Sequence, residues 1–266
     1  MYDPPETEAL TLLTVTEITG LSKASVKAFP EKELTAEQAE KLIAILSRLQ
    51  KGEPLQYILG YAEFYGLKFL VNPSVLIPRP ETEELVEWIL QSAPPNANIL
   101  DIGTGSGCIA ISLKKNLTNA RVSAIDVSIE ALATAKQNAL INQAEVNFIE
   151  GDILRSANSK ASTPYNIIVS NPPYVTLLDK ERMHSNVTDF EPHTALFVPK
   201  NDPLIFYRII ADYAVNNLTD KGLLFFEINE SYGQNTTALL SQKGFINIQL
   251  RKDMSDRDRM ICAQKP

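Results

Sequence analysis

The chain has 266 residues, 44% hydrophobic and 21% charged, the proportions of a soluble globular protein with room for one large domain or a medium domain and a small one. A formal net charge of −7 argues against a general affinity for nucleic-acid phosphates, and no apolar run approaches the roughly 18 residues needed to span a bilayer. The two cysteines, Cys108 and Cys262, lie far apart in apolar surroundings and read as free thiols in a reducing compartment.

The N-terminal Met-Tyr-Asp-Pro-Pro-Glu has neither the basic nor the apolar region of a secretory signal, so a cytoplasmic location is expected. From Glu6 to Gln50 the pattern is helical. Thr35 and Gln38 form a capping-box pair, after which Ala39, Leu42, Ile43, Leu46 and Leu49 recur at helical spacing until Gly52. Upstream, threonines weaken the helical signal. Residues 1–53 are therefore expected to form a small helical domain that docks a partner. Residues 54–75, rich in aromatic and branched side chains around Gly66, read as a β-hairpin linker. Pro80 suits the first turn of the next helix, with Glu81, Glu83 and Glu84 near its positive end. Arg79, held between Pro78 and Pro80, is either solvated or a positioned anchor for a carboxylate or main-chain carbonyl.

From residue 98 strands and helices alternate. Strands are expected at Ile99–Ile102, Val122–Asp126, Val146–Ile149, Ile167–Ser170, Leu223–Ile228, Ile246–Leu250 and Arg259–Ala263, and helices near Gly107–Lys115, Ser128–Ile141, Pro203–Asn217 and Tyr232–Gln242. This predicts, over residues 76–266, an α/β domain with a doubly wound, mostly parallel seven-stranded sheet ending in an antiparallel hairpin.

Four strand ends carry the candidate chemistry. Asp101-Ile-Gly-Thr-Gly-Ser-Gly107 follows the first strand, and Gly103, Gly105 and Gly107, with Thr104 and Ser106 between them, let the backbone approach a ligand closely. A dinucleotide loop would place its third glycine at 108, which is Cys108, so the spacing suits a ligand without a pyrophosphate. Asp126 ends the second strand, where a carboxylate can accept hydrogen bonds from both hydroxyls of a ribose. Asp152 and Ile153 follow the third, either flanking an adenine or forming an ordinary turn. Ile167, Ile168 and Val169 form the fourth, which Pro172 and Pro173 must end. Asn171-Pro172-Pro173-Tyr174 is either an ordinary proline-terminated loop or a set of acceptors without neighbouring N–H donors beside an aromatic ring, suiting a planar group that bears N–H₂.

Together these segments resemble the S-adenosylmethionine-dependent methyltransferases, in which Asn-Pro-Pro-Tyr implies methylation of a planar nitrogen. Gly52-Glu-Pro-Leu-Gln-Tyr-Ile-Leu-Gly60, Glu63-Phe64, Leu76-Ile-Pro-Arg-Pro-Glu-Thr-Glu83 and Phe190-Glu-Pro-His-Thr-Ala-Leu196 narrow the resemblance to the release-factor glutamine methyltransferases (HemK/PrmC family), from about Thr35 to the C-terminus. The resemblance implies methyl transfer to N5 of the glutamine in the Gly-Gly-Gln loop of peptide-chain release factors, with S-adenosylhomocysteine as product. It implies a Rossmann-like catalytic domain after a helical domain and hairpin. It also implies that residues 103–107, Asp126, Asp152, Ile153 and Asn171 hold the cofactor, and that Asn171, Pro172, Pro173 and Tyr174 hold the glutamine. Val175–Asp202 is long for a connection and suits a lid or substrate-binding role, shaped by Glu191 and Pro192, although Glu191 also reads as a solvated loop acid; Arg79 and Glu191 are the candidate site-shaping residues. Glu227 reads as structural. His184 and His193 have no accompanying ligand set, so no metal is expected. The competing readings are an exocyclic-amine methyltransferase acting on a DNA or RNA base, which would want a basic face, and a non-enzymatic translation-factor adaptor. No membrane or direct nucleic-acid partner is expected.

Overall fold

The computed structural model describes residues 4–181, 183–199 and 202–266. It divides into two compact units: one runs through Leu59 and takes in Ser185–Phe190, and the other comprises Gly60–His184 and Glu191–Pro266. No helix among the described residues is long and apolar enough to cross a membrane.

The first unit contains helices α1 (Pro4–Thr19), α2 (Lys23–Ala28), α3 (Ala36–Leu49) and α4 (Leu55–Leu59). In α1 the hydroxyls of Thr16 and Thr19 donate to the carbonyls of Leu12 and Val15, each at 2.6 Å, so these residues bond within the helix instead of competing with it. The capping box at α3 forms in full: Gln38 N–H donates to Thr35 Oγ1 and Thr35 N–H to Gln38 Oε1. Strand pairing does not begin at residue 54 as expected. Pro54 instead accepts from the N–H groups of Tyr57 and Ile58, starting a helical turn that buries Leu55 and Tyr57.

In the second unit β1 (Tyr61–Phe64) and β2 (Leu67–Leu70) form an antiparallel hairpin. Its turn residues Tyr65 and Gly66 both have positive φ, as a tight hairpin turn requires. Strands β3 (Asn98–Ile102), β4 (Arg121–Asp126), β5 (Asn147–Glu150), β6 (Tyr165–Ser170), β7 (Leu218–Glu227), β8 (Ile246–Lys252) and β9 (Asp258–Gln264) build a seven-stranded sheet in the order β5-β4-β3-β6-β7-β9-β8. The sheet is mixed instead of uniformly parallel: β9 runs antiparallel to both β7 and β8. The geometry follows from the short connection at residues 253–257, which reverses the chain, with Asp253 accepting from the N–H groups of Ser255 and Arg257. Strand β7 begins five residues earlier than expected, because Leu218 pairs with Tyr165 across an irregularity before Ile167.

Helices α5 (Pro80–Ser92), α6 (Cys108–Asn116), α7 (Ile129–Ile141), α8 (Ile205–Asn217) and α9 (Gly233–Gln242) cover the sheet. Side chains of a strand alternate between faces, and the two cores follow that parity. Ile99, Ile167, Val169 and Phe225 join Trp88 and Ile89 of α5 and Ile111 of α6 on one face. Leu100, Ile168, Leu224 and Phe226 join Tyr207 and Ile210 of α8 and Leu240 of α9 on the other. Both cysteines are unpaired.

The hairpin is tied to α7 by asparagines. Asn138 Nδ2 donates to Leu70 O at 3.0 Å and to Ser106 O at 2.9 Å, while its Oδ1 accepts from Leu70 N–H at 2.6 Å. One turn on, Asn142 Nδ2 donates to Lys68 O at 2.8 Å.

Gly107 has φ of 82°, and a Cβ there would meet Ile111 Cδ1 at 3.0 Å and Ala135 Cβ at 3.2 Å. Left-handed backbone and crowding add up in Gly107→Ala, which should lose about 2–4 kcal/mol of stability in urea denaturation.

Candidate functional site

The C-terminal ends of β3, β4, β5 and β6 lie side by side, and β3 is flanked by β4 on one side and β6 on the other. That divergence of connections is where open α/β sheets form a ligand crevice.

The glycine loop is laced to the neighbouring strand. Gly103 and Thr104 N–H both donate to Ile125 O, at 2.8 and 3.1 Å. Gly105 N–H donates to Asp126 Oδ2 at 2.8 Å, and Ser128 N–H to Asp126 Oδ1 at 3.0 Å. Each oxygen of Asp126 therefore holds one backbone donor and keeps a further lone pair. Gly103, Gly105 and Gly107 all have positive φ, and a Cβ at Gly103 or Gly105 would meet nothing within 4 Å, so the loop opens onto free space. Beneath it Thr104 Oγ1 donates to Asp101 Oδ2 at 2.6 Å, while Asp101 Oδ1 takes no well-formed hydrogen bond. Burial pushes the Asp101 carboxyl up to about 7. A cradle of backbone groups over an unsatisfied acid, with a carboxylate at the adjacent strand end, fits a ligand that carries an amino group and a ribose.

Beyond β5, Asp152 accepts from Leu154 N–H at 2.9 Å and caps its own short turn, and Ile153 is half-buried against the core. Both lie on the same sheet edge as Asp126, whose partner in β5 is Glu150.

At the end of β6, Asn171 Nδ2 donates to Thr82 Oγ1 at 3.4 Å. Thr82 Oγ1 in turn donates to Glu227 Oε2 at 2.6 Å, and Tyr174 Oη donates to Glu227 Oε1 at 3.2 Å. Glu227 has no exposed surface, and burial pushes its carboxyl up to about 7. Desolvation also raises the Tyr174 phenol well above its ordinary value, followed by the charge of Glu227, so it stays a hydroxyl donor. Asn229 Nδ2 donates to Tyr174 O at 3.2 Å. The backbone of residues 172 and 173 offers carbonyls without N–H groups.

Glu191 is not solvated: it is 3% exposed, 2.6 Å from Arg79 Nη2, and accepts from Ile77 N–H at 3.3 Å. Arg79 is thus the anchor of a carboxylate 112 residues away. Arg79→Ala would leave Glu191 buried and unpaired and should lower stability by roughly 2–4 kcal/mol, read by chemical denaturation, with Arg79→Lys recovering part of it.

Thr82 and Glu227 were not legible as site residues. Glu227 lies 145 residues from Thr82, and neither sits in a pattern that announces the other. Glu227 gives a pH signature. Its native value of about 7 lies above the ordinary 4.5, so the folded state holds the proton more tightly than the unfolded chain. Its contribution is therefore most favourable below pH 4.5 and declines as pH rises to about 7. Across that window wild type should lose up to about 3 kcal/mol relative to Glu227→Gln in urea titrations at several pH values. A constant difference would remove Glu227 as the titrating group.

Among the described residues no three His, Cys, Asp or Glu side chains cluster as a metal site requires.

Two family models match the chain: "PrmC N-terminal domain" over residues 2–60 and "Methyltransferase small domain" over residues 81–188. A release factor glutamine methyltransferase of Flavobacterium psychrophilum is 47% identical over 266 residues, spanning 98% of this chain and 93% of that protein. One from Bacteroides thetaiotaomicron is 46% identical over 265 residues, spanning 100% and 95%. Among solved structures, a methyltransferase from Pyrococcus furiosus is similar at a TM-score of 0.56 and 15% identity, covering 83% of this chain and 97% of that one. That similarity concerns the fold.

Proposed function

The chain belongs to the release factor glutamine methyltransferase family, and from that premise we propose which of its residues do the work. The reaction moves a methyl group from S-adenosylmethionine to the side-chain amide nitrogen, N5, of a glutamine in a peptide-chain release factor. When bound, the cofactor supplies a methyl carbon made electrophilic by a positively charged sulfur.

The loop Gly103–Gly107 holds the amino-acid portion of the cofactor, with Asp101 beneath it. Asp126 accepts the two ribose hydroxyls through the lone pairs that Gly105 and Ser128 leave free. Asp152 and Ile153 flank the adenine. Asn171 Oδ1 and Pro172 O accept the two N–H groups of the incoming carboxamide. An amide nitrogen is a weak nucleophile because its lone pair is delocalised. Fixing both hydrogens turns that lone pair toward the methyl carbon, so the gain comes from alignment and fixed dipoles. Pro172 and Pro173 carry no N–H that would compete for the site, and the Tyr174 ring lies against the planar face of the amide. No strong base is needed, since the nitrogen becomes acidic as it gains the methyl group and sheds a proton to solvent through its acceptors.

We assign the acceptor glutamine to the Gly-Gly-Gln loop, and the docking of the release factor to the N-terminal residues 1–53. The observation that carries the reading is identity near one half across almost the whole of two release factor glutamine methyltransferases, both domains included. The test supplies methyl-labelled S-adenosylmethionine with a release factor, with its Gly-Gly-Gln variant carrying Gln→Ala, and with bulk nucleic acid. Label is expected on the first alone. Label on nucleobases would turn the assignment to an exocyclic-amine methyltransferase.

A further inference from the structure

We propose that Thr82 and Glu227 form a one-way hydrogen-bond relay that fixes which end of the Asn171 carboxamide faces the acceptor pocket, making both of them positioning residues for methyl transfer. The inference rests on the reading of Asn171 as the acceptor of the glutamine N–H.

The two ends of an asparagine amide have nearly the same shape and opposite hydrogen-bonding sense. If Nδ2 faced the pocket it would meet the N–H₂ of the substrate donor to donor. The backbone does not settle the choice, because Asn171 follows a strand end and precedes prolines that donate nothing. The relay does. An ionised carboxylate accepts only. Glu227 Oε2 takes the one hydroxyl hydrogen of Thr82 at 2.6 Å, and Oε1 takes that of Tyr174 at 3.2 Å. With its hydrogen committed, Thr82 can only accept from Asn171, whose N–H₂ is 3.4 Å away. The remaining end, Oδ1, is left for the substrate. The carboxylate thereby also ties both ends of the Asn-Pro-Pro-Tyr segment to one buried point.

Thr82 is 2% exposed and Glu227 0%, so water does not substitute for either group. Around Glu227 stand Thr82 and Glu81 of α5, Tyr174 after β6, Tyr207 of α8, Cys108 of α6 and Arg259 of β9. Arg259 favours the charged form, Glu81 opposes it, and burial opposes it most. Protonation would place a hydrogen on one carboxyl oxygen, allow it to donate to Thr82, and let Thr82 donate to Asn171 Oδ1. The amide could then turn its N–H₂ to the pocket. Glu227→Gln permits the same reversal at every pH.

The test measures kcat, KM for a release factor, and cofactor affinity by calorimetry for wild type, Thr82→Val, Thr82→Ser, Glu227→Gln and Asn171→Ala, between pH 5.5 and 8.5. Thr82→Val should lower kcat about ten- to a hundredfold, with KM and cofactor affinity within about threefold of wild type. Thr82→Ser, which keeps the hydroxyl, should stay within about threefold in kcat. On the acid side wild-type kcat should fall more steeply than that of Glu227→Gln, in which the Asp101 carboxyl, also pushed up to about 7, remains to titrate. Should Thr82→Val not fold, the acid limb of wild type against Glu227→Gln carries the test alone. Wild-type kcat in Thr82→Val, equal losses in Val and Ser, or an unchanged acid limb in Glu227→Gln would each overturn the relay. Full activity in Asn171→Ala would instead overturn the reading of the acceptor itself.

Discussion

Asn171→Ala is expected to reduce methyl transfer to a release factor by at least about a hundredfold, while cofactor affinity stays within a few-fold. The side chain makes one long contact, to Thr82 at 3.4 Å, so its loss costs the fold little. In the proposed reaction it is one of the two acceptors assigned to the nitrogen, and removing one positioned partner of a developing charge typically costs two to three orders of magnitude. Single-turnover transfer with labelled S-adenosylmethionine, beside calorimetry of cofactor binding, separates the two quantities. If the variant lost cofactor binding and nothing else, Asn171 would belong to the cofactor site alone.

Asp126→Ala should weaken cofactor binding about ten- to a hundredfold, roughly 1–3 kcal/mol, through the ribose hydroxyls left without an acceptor. A second loss accompanies it, because the same carboxylate holds Gly105 N–H and Ser128 N–H and so sets the path of the glycine loop. Asp126→Asn keeps an oxygen for one of these donors and turns an N–H₂ toward the other. It should therefore lose affinity as well, with a smaller change in melting temperature than the alanine variant. Equal cofactor affinity in wild type and both variants would remove Asp126 from the site.

The strand ends were legible because each is written locally. Glycines at 103, 105 and 107, an acid at the end of β4, and two prolines after β6 carry their meaning within a few residues. The antiparallel hairpin at one edge followed from the missing helix between the last two strands, whereas the strand order, with β9 between β7 and β8, has no local mark in the sequence. Residues 54–59 were misread because branched and aromatic side chains there suit a strand by propensity, while Pro54 and the burial of Leu55 and Tyr57 favour a helical turn. The Arg79–Glu191 pair and the Thr82–Glu227 contact could not be read, since a buried carboxylate carries no local mark of its partner over a hundred residues away.

The asparagines of α7 have a consequence for what the hairpin can recruit. Four residues of helix rise about 6 Å and two residues of strand about 6.7 Å. Asn138 and Asn142 therefore stand in step with Leu70 and Lys68 and occupy carbonyls that a further extended peptide would need. The Asn138 carboxamide engages both the N–H and the C=O of Leu70, as a peptide unit of an adjoining strand would. Strand addition along that margin is thus pre-empted from within the molecule, and a chain in which both asparagines became leucine would carry a sticky border prone to self-association.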